Sequence, residues 1–423
     1  MAGGREERSA QAGALEAGGA TEAPLAGLRV VEVSAFVAAP LGGMTLAQLG
    51  AEVIRIDPIG GNIDIGRWPL APGGTSIYWA SLNKGKRSVA LALNTPEGQE
   101  LASALICAPG PDTGVVLTNL QARGWLGYDT LAQRRPDLIM AELTGNPDGS
   151  SAVDYTVNCA SGFPTATGAT EEPVNHVLPA WDVAAGLYLT TAILAADRMR
   201  SRGRGGQRIT LALADVMLAT VANLGYVADV QVNGDSRGAL GNDLYGAFGR
   251  DFRTADGRSV MVAAFSNRQW RALGEATGLA AKLELIGPLL DVDMTTEGGR
   301  FEARDAIAAV LAPWFAARGL SEVRAALDGR GVLWGPYQSF QQLVQEDARC
   351  SPANPLFGEI DQPGVGRVLA PRFPPGLLGR PAPQPAPPHG SDTEAVLRSV
   401  LGLSAREVDG LRQRRVIGGA PPA

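Results

Sequence analysis

Short apolar runs alternate with helically spaced apolar positions near the start of the chain. The stretches "GLRVVEVSA" (27–35) and "AEVIRID" (51–57) are β-branched runs of strand length. Between them, "GGMTLAQLG" (42–50) repeats apolar residues at helical spacing. This order predicts a β-α-β unit with parallel strands and a right-handed crossover.

The same alternation continues to residue 145. Further strands are predicted at 87–93, 113–119 and 137–145, and further helices at 95–108 and 128–136. Thr95 is placed to cap the first of these helices, and Pro96 suits its first position. We therefore expect an α/β fold whose open, doubly wound sheet carries helices on both faces.

The pattern changes along the second half of the chain. A long apolar helix is predicted over 183–202, and a strand and a mostly buried helix follow within 206–231. Beyond these, a "TADG" turn, the strand "SVMVAAF" and an amphipathic helix around Trp270 indicate a smaller α+β domain at 240–335. A Pro-rich connection at 372–390 then precedes a terminal pair of helices.

Composition narrows the classes of partner. A chain of 423 residues is too long for a single ordinary hydrophobic core, so two domains are expected. The net charge of −6 offers no general basic surface for nucleic acid, so no nucleic-acid partner is expected. No apolar run approaches the roughly 18–20 residues that span a bilayer, so we expect no membrane partner. Residues 1–24 are rich in Ala, Gly and Glu, lack the apolar core of a signal peptide, and are predicted to be a disordered tail.

Cysteine and histidine are scarce. The three cysteines are scattered without CxxC spacing, which is typical of a reducing cytoplasm and argues against a zinc or disulfide framework. Only His176 and His389 are present, so a His-rich metal site is excluded and no metal is expected. Any catalysis must therefore depend on carboxylates, cations or backbone groups.

Two stretches next to predicted strands carry cations and amides. "LNKGKRSVAL" (82–91) contains Lys86 and Arg87, and "TNLQARGWLG" (118–127) contains Asn119 and Arg123. A solvated basic turn is the commoner fate of such charges, but together they favour a phosphate-bearing, nucleotide-like ligand at the sheet edge. Asp57 ends the second strand as a dinucleotide's ribose acceptor would, yet the preceding turn lacks GxGxxG, which disfavours that reading.

Asp182 is the candidate nucleophile. It lies in "NHVLPAWDVAAG" (175–186), at the predicted start of the long helix and among apolar neighbours. An Asp at this place commonly caps a helix, and the helix N-terminus would also keep its carboxylate ionised for attack on an activated acyl carbon. Both roles are open on the residues alone. His176 is more typical of a hydrogen-bonded structural residue than of a base, and His389 of a surface residue or loop anchor.

Several ordered stretches resemble one family. They are "GLRVVEVSAFVAAPLGGMTLAQLGAEVIRIDPIGG", "LNKGKRSVAL", "GQRITLALADV" and "HGSDTEAVLRSVLGLSAREVDGL". Together they resemble the class III CoA-transferases, also called the CaiB/BaiF family, and the resemblance spans Gly27 to Ile417. "HVLPAWDVAAG" falls where that family carries its catalytic aspartate.

The resemblance implies an architecture and a site. It implies a Rossmann-like large domain built from 25–239 and 336–423, with the smaller domain between them, and an interlocked homodimer. Acyl-CoA would be the substrate, with no separate cofactor, and Asp182 would be the nucleophile. The positions matching the family's CoA contacts are Phe36, Val37, Ala38, Lys86, Arg87, Asn119, Leu120 and Gln121.

A finer resemblance concerns the activity. "VDYTVN", "VNHVLPAWD" and "LYGAFGRDF" resemble members that move CoA from the C1 to the C4 carboxyl of mesaconyl-CoA within one molecule. Transfer to a separate free dicarboxylate is the alternative within the family. A non-catalytic, nucleotide-binding α/β protein in which Asp182 only caps its helix is the alternative from another class.

Overall fold

The computed structural model describes residues 22–170, 172–234 and 237–419; of the predicted disordered tail, residues 1–21 lie outside the described residues. The strands are β1 Arg29–Val33, β2 Glu52–Pro58, β3 Arg87–Leu91, β4 Val115–Thr118, β5 Ile139–Thr144, β6 Gln207–Ala212, β7 Phe248–Arg253, β8 Ser259–Ala264, β9 Leu333–Pro336, β10 Phe357–Gln362 and β11 Gly366–Pro371. The helices are α1 Ala38–Gln48, α2 Ile77–Leu82, α3 Pro96–Ile106, α4 Tyr128–Arg134, α5 Asp154–Cys159, α6 Phe163–Ala166, α7 Ala180–Arg200, α8 Leu213–Asn223, α9 Tyr226–Asn233, α10 Asn267–Thr277, α11 Ala280–Glu284, α12 Ile286–Leu290, α13 Glu297–Glu302, α14 Arg304–Ala316, α15 Leu320–Leu327, α16 Phe340–Glu346, α17 Thr393–Leu401 and α18 Ala405–Gln413.

The chain forms two compact units. The first comprises the residues up to Val157, Leu178–Tyr226 and the residues from Ala348 onwards. The second comprises Asn158–Val177 and Val227–Asp347, and the smaller domain predicted at 240–335 falls within it.

A six-stranded parallel sheet organises the first unit. Its strand order is β3-β2-β1-β4-β5-β6, and every pairing in it is parallel. The prediction of an α/β fold with an open parallel sheet is confirmed. The strand order reverses between β1 and β4, and ligands of such sheets bind outside the carboxyl ends of the strands at that point.

The sheet forms because β1 to β5 are mostly apolar runs that are buried on both faces. Val31, Ile54, Val89, Val116 and Met140 come from five different strands and share one core cluster. The local start signal of α3 also works as predicted, since the Thr95 side chain accepts a hydrogen bond from the Gly98 N–H and Pro96 takes the first helical position.

Helices α1 and α7 pack against each other through glycines. A Cβ at Gly186 would lie 2.6 Å from the carbonyl oxygen of Ala38, which is closer than Cβ atoms approach backbone. The Thr190 hydroxyl of α7 donates to the Gly42 carbonyl of α1 at 3.2 Å. Helix α1 follows β1, and Arg200 at the end of α7 donates to the Thr113 carbonyl just before β4 at 2.6 Å, so the N-termini of both helices lie towards the carboxyl edge of the sheet.

The C-terminal segment covers the outer edge of β3. The Ser88 N–H donates to Asp392 at 2.9 Å, and the Ala90 N–H donates to the Thr393 hydroxyl at 3.0 Å. His389 Nε2 lies 3.2 Å from the Pro58 carbonyl oxygen, which makes it a loop anchor of the Pro-rich connection. An edge strand with filled donors is protected from pairing with another chain. The predicted terminal pair of helices is present as α17 and α18.

The second unit has its own antiparallel sheet, of order β7-β8-β9. The "TADG" turn predicted at 254–257 joins β7 to β8, with the Gly257 N–H donating to the Thr254 carbonyl at 3.0 Å. Phe248, Val260, Leu273 and Leu311 belong to the core cluster that this sheet shares with its helices. The second unit therefore combines an antiparallel sheet with packed helices.

No described helix is by itself both long and apolar enough to cross a membrane, although two sharply bent pairs, α8 with α9 and α14 with α15, meet that criterion jointly.

The contact between α1 and α7 predicts the effect of one added methyl group. Gly186→Ala should destabilise the first unit by about 1–3 kcal/mol, because the new Cβ meets backbone that cannot move aside. The matched control is Gly410→Ala in α18, where the nearest atom is the mobile end of Arg414 at 3.3 Å. That variant should gain about 0.5–1 kcal/mol from helix propensity. Denaturant unfolding followed by circular dichroism measures both, and equal midpoints for the two variants would contradict the packing argument.

Candidate active site

The turn after β1 holds a strained residue at the carboxyl edge. Phe36 has a φ of 65°, a left-handed conformation that non-glycine residues rarely adopt. Its N–H donates to Asp64 Oδ2 at 3.0 Å. Asn119, which follows β4, accepts from the Ala35 N–H at 2.9 Å and donates to the Ala35 carbonyl at 2.7 Å. Such over-determined strain is typical of functional sites.

Two groups of predicted CoA contacts therefore meet at the point where the strand order reverses. Val37 and Ala38 are buried where α1 begins, next to the half-exposed Phe36. Leu120 packs against the core, whereas the side chains of Gln121 and Arg123 in the loop after β4 are exposed. The exposed members are thus available to a ligand at this edge.

The side chains of Lys86 and Arg87 pair with carboxylates of the protein itself. The Lys86 ammonium is fully buried, 2.8 Å from Glu32 and 2.9 Å from Asn83. Burial lowers its pKa to about 8, although Glu32 opposes that shift. Arg87 pairs at 2.7 Å with Glu52, the first residue of β2. Lys86 precedes β3 and Arg87 is its first residue, whereas ligands of such sheets bind outside the carboxyl ends of the strands.

Asp57 is not available as a ribose acceptor. Its side chain is completely buried and accepts from Arg55 Nε at 2.8 Å and from Asn62 at 2.7 Å. Because both carboxylate oxygens of Asp57 are occupied, Asp57 gives no support to the interpretation of a dinucleotide site.

The long helix begins earlier than predicted, and Asp182 does not cap it. Helix α7 starts at Ala180 after Pro179, so Asp182 is its third residue. The acceptor for the free N–H groups comes from Asp154 of α5, whose Oδ2 accepts from the Trp181 N–H at 2.7 Å and from the Asp182 N–H at 3.0 Å. The capping interpretation of Asp182 is therefore wrong, because a carboxylate distant in sequence fills that role.

The electrostatics of Asp182 also differ from expectation. Burial raises the pKa of Asp182 to about 7, and the like charge of Asp154 adds to the shift. The expectation that the helix N-terminus keeps Asp182 fully ionised is wrong near neutral pH, since burial and repulsion outweigh the helix dipole. Asp182 is a desolvated carboxyl group that exchanges its proton near neutrality.

Tyr78 and Arg67 share the surroundings of Asp182. Burial raises the pKa of Tyr78 to about 12, with contributions from Asp182, Asp64 and Tyr155, while Arg67 opposes the shift. Sequence patterns did not identify Tyr78, Arg67 or Asp154, since all three lie in segments without regular periodicity. Of the three, only Asp154 lies in a stretch that the family resemblance includes, "VDYTVN".

The structure also describes His176 and the groups that could ligate a metal ion. His176 belongs to the second unit, and its buried Nδ1 has no hydrogen-bond partner among the residues that the structure describes. Within those residues, no group of three or more His, Cys, Asp or Glu side chains is arranged to hold a metal ion.

The raised pKa predicts that Asp182 lowers stability once it ionises. Unfolding returns its pKa to about 4, so the folded protein loses stability as pH rises from about 4 to about 7 and no further above that. Asp182→Asn, which cannot ionise, should therefore be more stable than wild type at about pH 8, by on the order of 1–3 kcal/mol after allowance for partial exposure.

Thermal unfolding at about pH 5 and about pH 8 checks this prediction, and the gain should be larger at the higher pH. The matched control is Asp129→Asn, which changes an exposed aspartate in the first turn of α4. A gain at Asp182→Asn that does not depend on pH would contradict the assigned pKa.

Comparison with known proteins gives consistent similarities. Residues 25–393 match the family model of CoA-transferase family III. The chain is 51% identical over 400 residues to the 2-methylfumaryl-CoA isomerase of Chloroflexus aurantiacus, covering 93% of this chain and 98% of that protein. It is 28% identical over 359 residues to the succinyl-CoA:mesaconate CoA-transferase of Haloarcula marismortui, covering 80% and 86%. A CaiB/BaiF family protein from Brucella suis has a similar crystal structure, with a TM-score of 0.73, 26% identity, and coverage of 90% and 100%.

Proposed function

The chain belongs to CoA-transferase family III and is an enzyme with CoA-transferase chemistry, and from this premise we propose that it moves CoA from the C1 to the C4 carboxyl of mesaconyl-CoA. This is an isomerisation of 2-methylfumaryl-CoA. The choice of substrate is supported by the 51% identity to a 2-methylfumaryl-CoA isomerase over nearly the whole length. The observation that carries the chemistry is the desolvated carboxyl group of Asp182 at the start of α7.

Asp182 is suited to be the nucleophile. Burial and the charge of Asp154 destabilise its ionised form, which makes the carboxylate more reactive than an exposed one. Acylation removes that charge, so forming a covalent intermediate relieves both the desolvation and the repulsion.

The transfer proceeds through two anhydrides and one enzyme thioester. Asp182 attacks the C1 carbonyl, forming a mixed anhydride and expelling the CoA thiolate. The thiolate attacks the aspartyl carbonyl, forming an aspartyl-CoA thioester and releasing free mesaconate within the pocket. The C4 carboxylate attacks this thioester, giving a second anhydride and the thiolate again. Attack of the thiolate on the C4 carbonyl forms the product and regenerates the carboxylate of Asp182.

Each step exchanges acyl groups between comparable leaving groups, so no general acid is required, which suits a chain with two histidines. The oxyanions need hydrogen-bond donors. The N–H groups of Trp181 and Asp182 already donate to Asp154, so other groups must serve. Retention of mesaconate beside the thioester gives the second attack a high effective concentration.

We propose that acyl-CoA occupies the carboxyl edge of the sheet, between the turn after β1 and the loop after β4. Phe36, Gln121 and Arg123 are exposed there, and the partly exposed Asn119 holds the backbone of Ala35. Lys86, whose ammonium is buried against Glu32 and Asn83, is not proposed to touch phosphate. No cofactor beyond the CoA of the substrate is required.

A homodimer is part of the proposal. Helix α9 has no buried residue, although Val227, Val230 and Val232 are apolar. Exposed apolar surface of this kind is commonly covered by association. Light scattering coupled to size exclusion distinguishes a dimer from a monomer.

Transfer to an external acceptor is the second candidate. It is favoured by the 28% identity to a succinyl-CoA:mesaconate CoA-transferase, which moves CoA between two molecules. The two candidates differ in whether mesaconate leaves the pocket during the reaction.

Isotope exchange separates them. Incubation of unlabelled mesaconyl-C1-CoA with labelled free mesaconate should give unlabelled C4 ester, because the retained diacid outcompetes the external one. Mass spectrometry of the CoA esters measures the label. Label entering the C4 ester at the rate of its formation would favour the external-acceptor reaction. Asp182→Ala should abolish both reactions, and full activity of that variant would exclude Asp182 as nucleophile.

The pH dependence of kcat/KM should follow ionisation of Asp182. Activity is expected to rise with pH through about 7 in the free enzyme, since only the carboxylate attacks. Asp154→Asn should move this rise to lower pH, because an amide oxygen still accepts the two N–H groups while the repelling charge is removed. Asp129→Asn is again the control. An unshifted profile for Asp154→Asn would contradict the role assigned to its charge.

A further inference from the structure

Arg67 is held in place through its backbone. It lies in the segment between β2 and α2, where its N–H donates to the Asp64 carbonyl at 3.1 Å. Its own carbonyl accepts from the hydroxyl of Ser76, the N-cap of α2. Asp64 and Ser76 are both buried, so the Cα of Arg67 is anchored from two sides.

The side chain of Arg67 is oriented by two aromatic rings. Its guanidinium lies 5.7 Å from the ring centroid of Phe36 and 5.1 Å from that of Tyr78. Among the residues that the structure describes, it forms no ion pair and no side-chain hydrogen bond. Stacking fixes the plane of a guanidinium while leaving its N–H donors free for a ligand. Arg67 is therefore an oriented cation with unused donors.

The hydroxyl of Tyr78 lies within the electrostatic reach of both Arg67 and Asp182. Because burial raises the pKa of Tyr78 to about 12, the phenol stays protonated and can donate a hydrogen bond. It has no hydrogen-bond partner within the described part of the chain. A neutral donor and an unpaired cation thus lie together near the nucleophile.

The substrate supplies the complementary group. A dicarboxylic acyl-CoA that presents its thioester carbonyl to Asp182 carries a second, negatively charged carboxylate. Repulsion by Asp154 and Asp182 disfavours that carboxylate beside the two aspartates. A guanidinium fork binds carboxylates in bidentate geometry.

We propose that Arg67, together with the hydroxyl of Tyr78, binds the carboxylate of the diacid that is not joined to CoA or to Asp182. This inference rests on the proposed function and names the group that selects dicarboxylic substrates. It also accounts for retention of the free diacid, since one carboxylate stays bound while the other is released.

The test compares formation of the aspartyl-CoA thioester on Asp182 from mesaconyl-C1-CoA and from crotonyl-CoA, which lacks a second carboxylate. Mass spectrometry of the protein measures the rate. Arg67→Met should slow the reaction of mesaconyl-C1-CoA about 30- to 300-fold, mainly through weaker binding, and that of crotonyl-CoA less than about 3-fold. Tyr78→Phe should give a smaller loss in the same direction. Arg406→Met, at an exposed position of α18, is the control for loss of one positive charge.

Two results would overturn the inference. Equal losses with both substrates would assign Arg67 to CoA itself or to the fold, and no loss with mesaconyl-C1-CoA would leave it without a role. Failure of the proposed function is a separate result, because it would appear as a wild-type enzyme that forms the thioester without producing the C4 ester.

Discussion

The buried guanidinium of Arg55 is the interaction on which the carboxyl edge of the sheet depends. It donates to Asp57 at 2.8 Å, to Asn83 at 3.0 Å, to the Ser34 carbonyl at 3.1 Å and to Asp64 at 3.3 Å. These partners belong to β2, the end of α2, the turn after β1 and the segment before α2. A guanidinium buried this deeply is tolerated only when its donors are satisfied, so the four segments are constrained together.

The position of the candidate site follows from that constraint. Asp64, held by Arg55, accepts the N–H of Phe36 and so stabilises its left-handed conformation. The backbone carbonyl of the same Asp64 accepts the N–H of Arg67. The strained turn and the oriented cation are therefore attached to one buried residue, and neither depends on loop packing alone.

The buried cation and the buried carboxyl group of this region have opposite electrostatic surroundings. Arg55 is surrounded by the carboxylates of Glu32, Asp57 and Asp64, which raise its pKa despite its burial. Asp182 has no cation paired with it among the described residues and instead lies near Asp154, so burial and repulsion raise its pKa to about 7. The first arrangement stabilises the fold, and the second costs stability. The proposed nucleophilic role of Asp182 explains why this loss of stability is retained, because acylation removes the charge of its carboxylate.

Local sequence determined much of the fold and part of the site. Continuous apolar runs predicted β1 to β5, and Thr95 with Pro96 marked the start of α3, because these signals act between near neighbours. The family resemblance pointed to Asp182 as the candidate nucleophile. Only the tertiary structure decided that Asp154, 28 residues earlier, caps α7 and raises the pKa of Asp182. It likewise decided that Lys86 points inward to Glu32, since strand order and direction, which no local pattern encodes, select the partner of each charge.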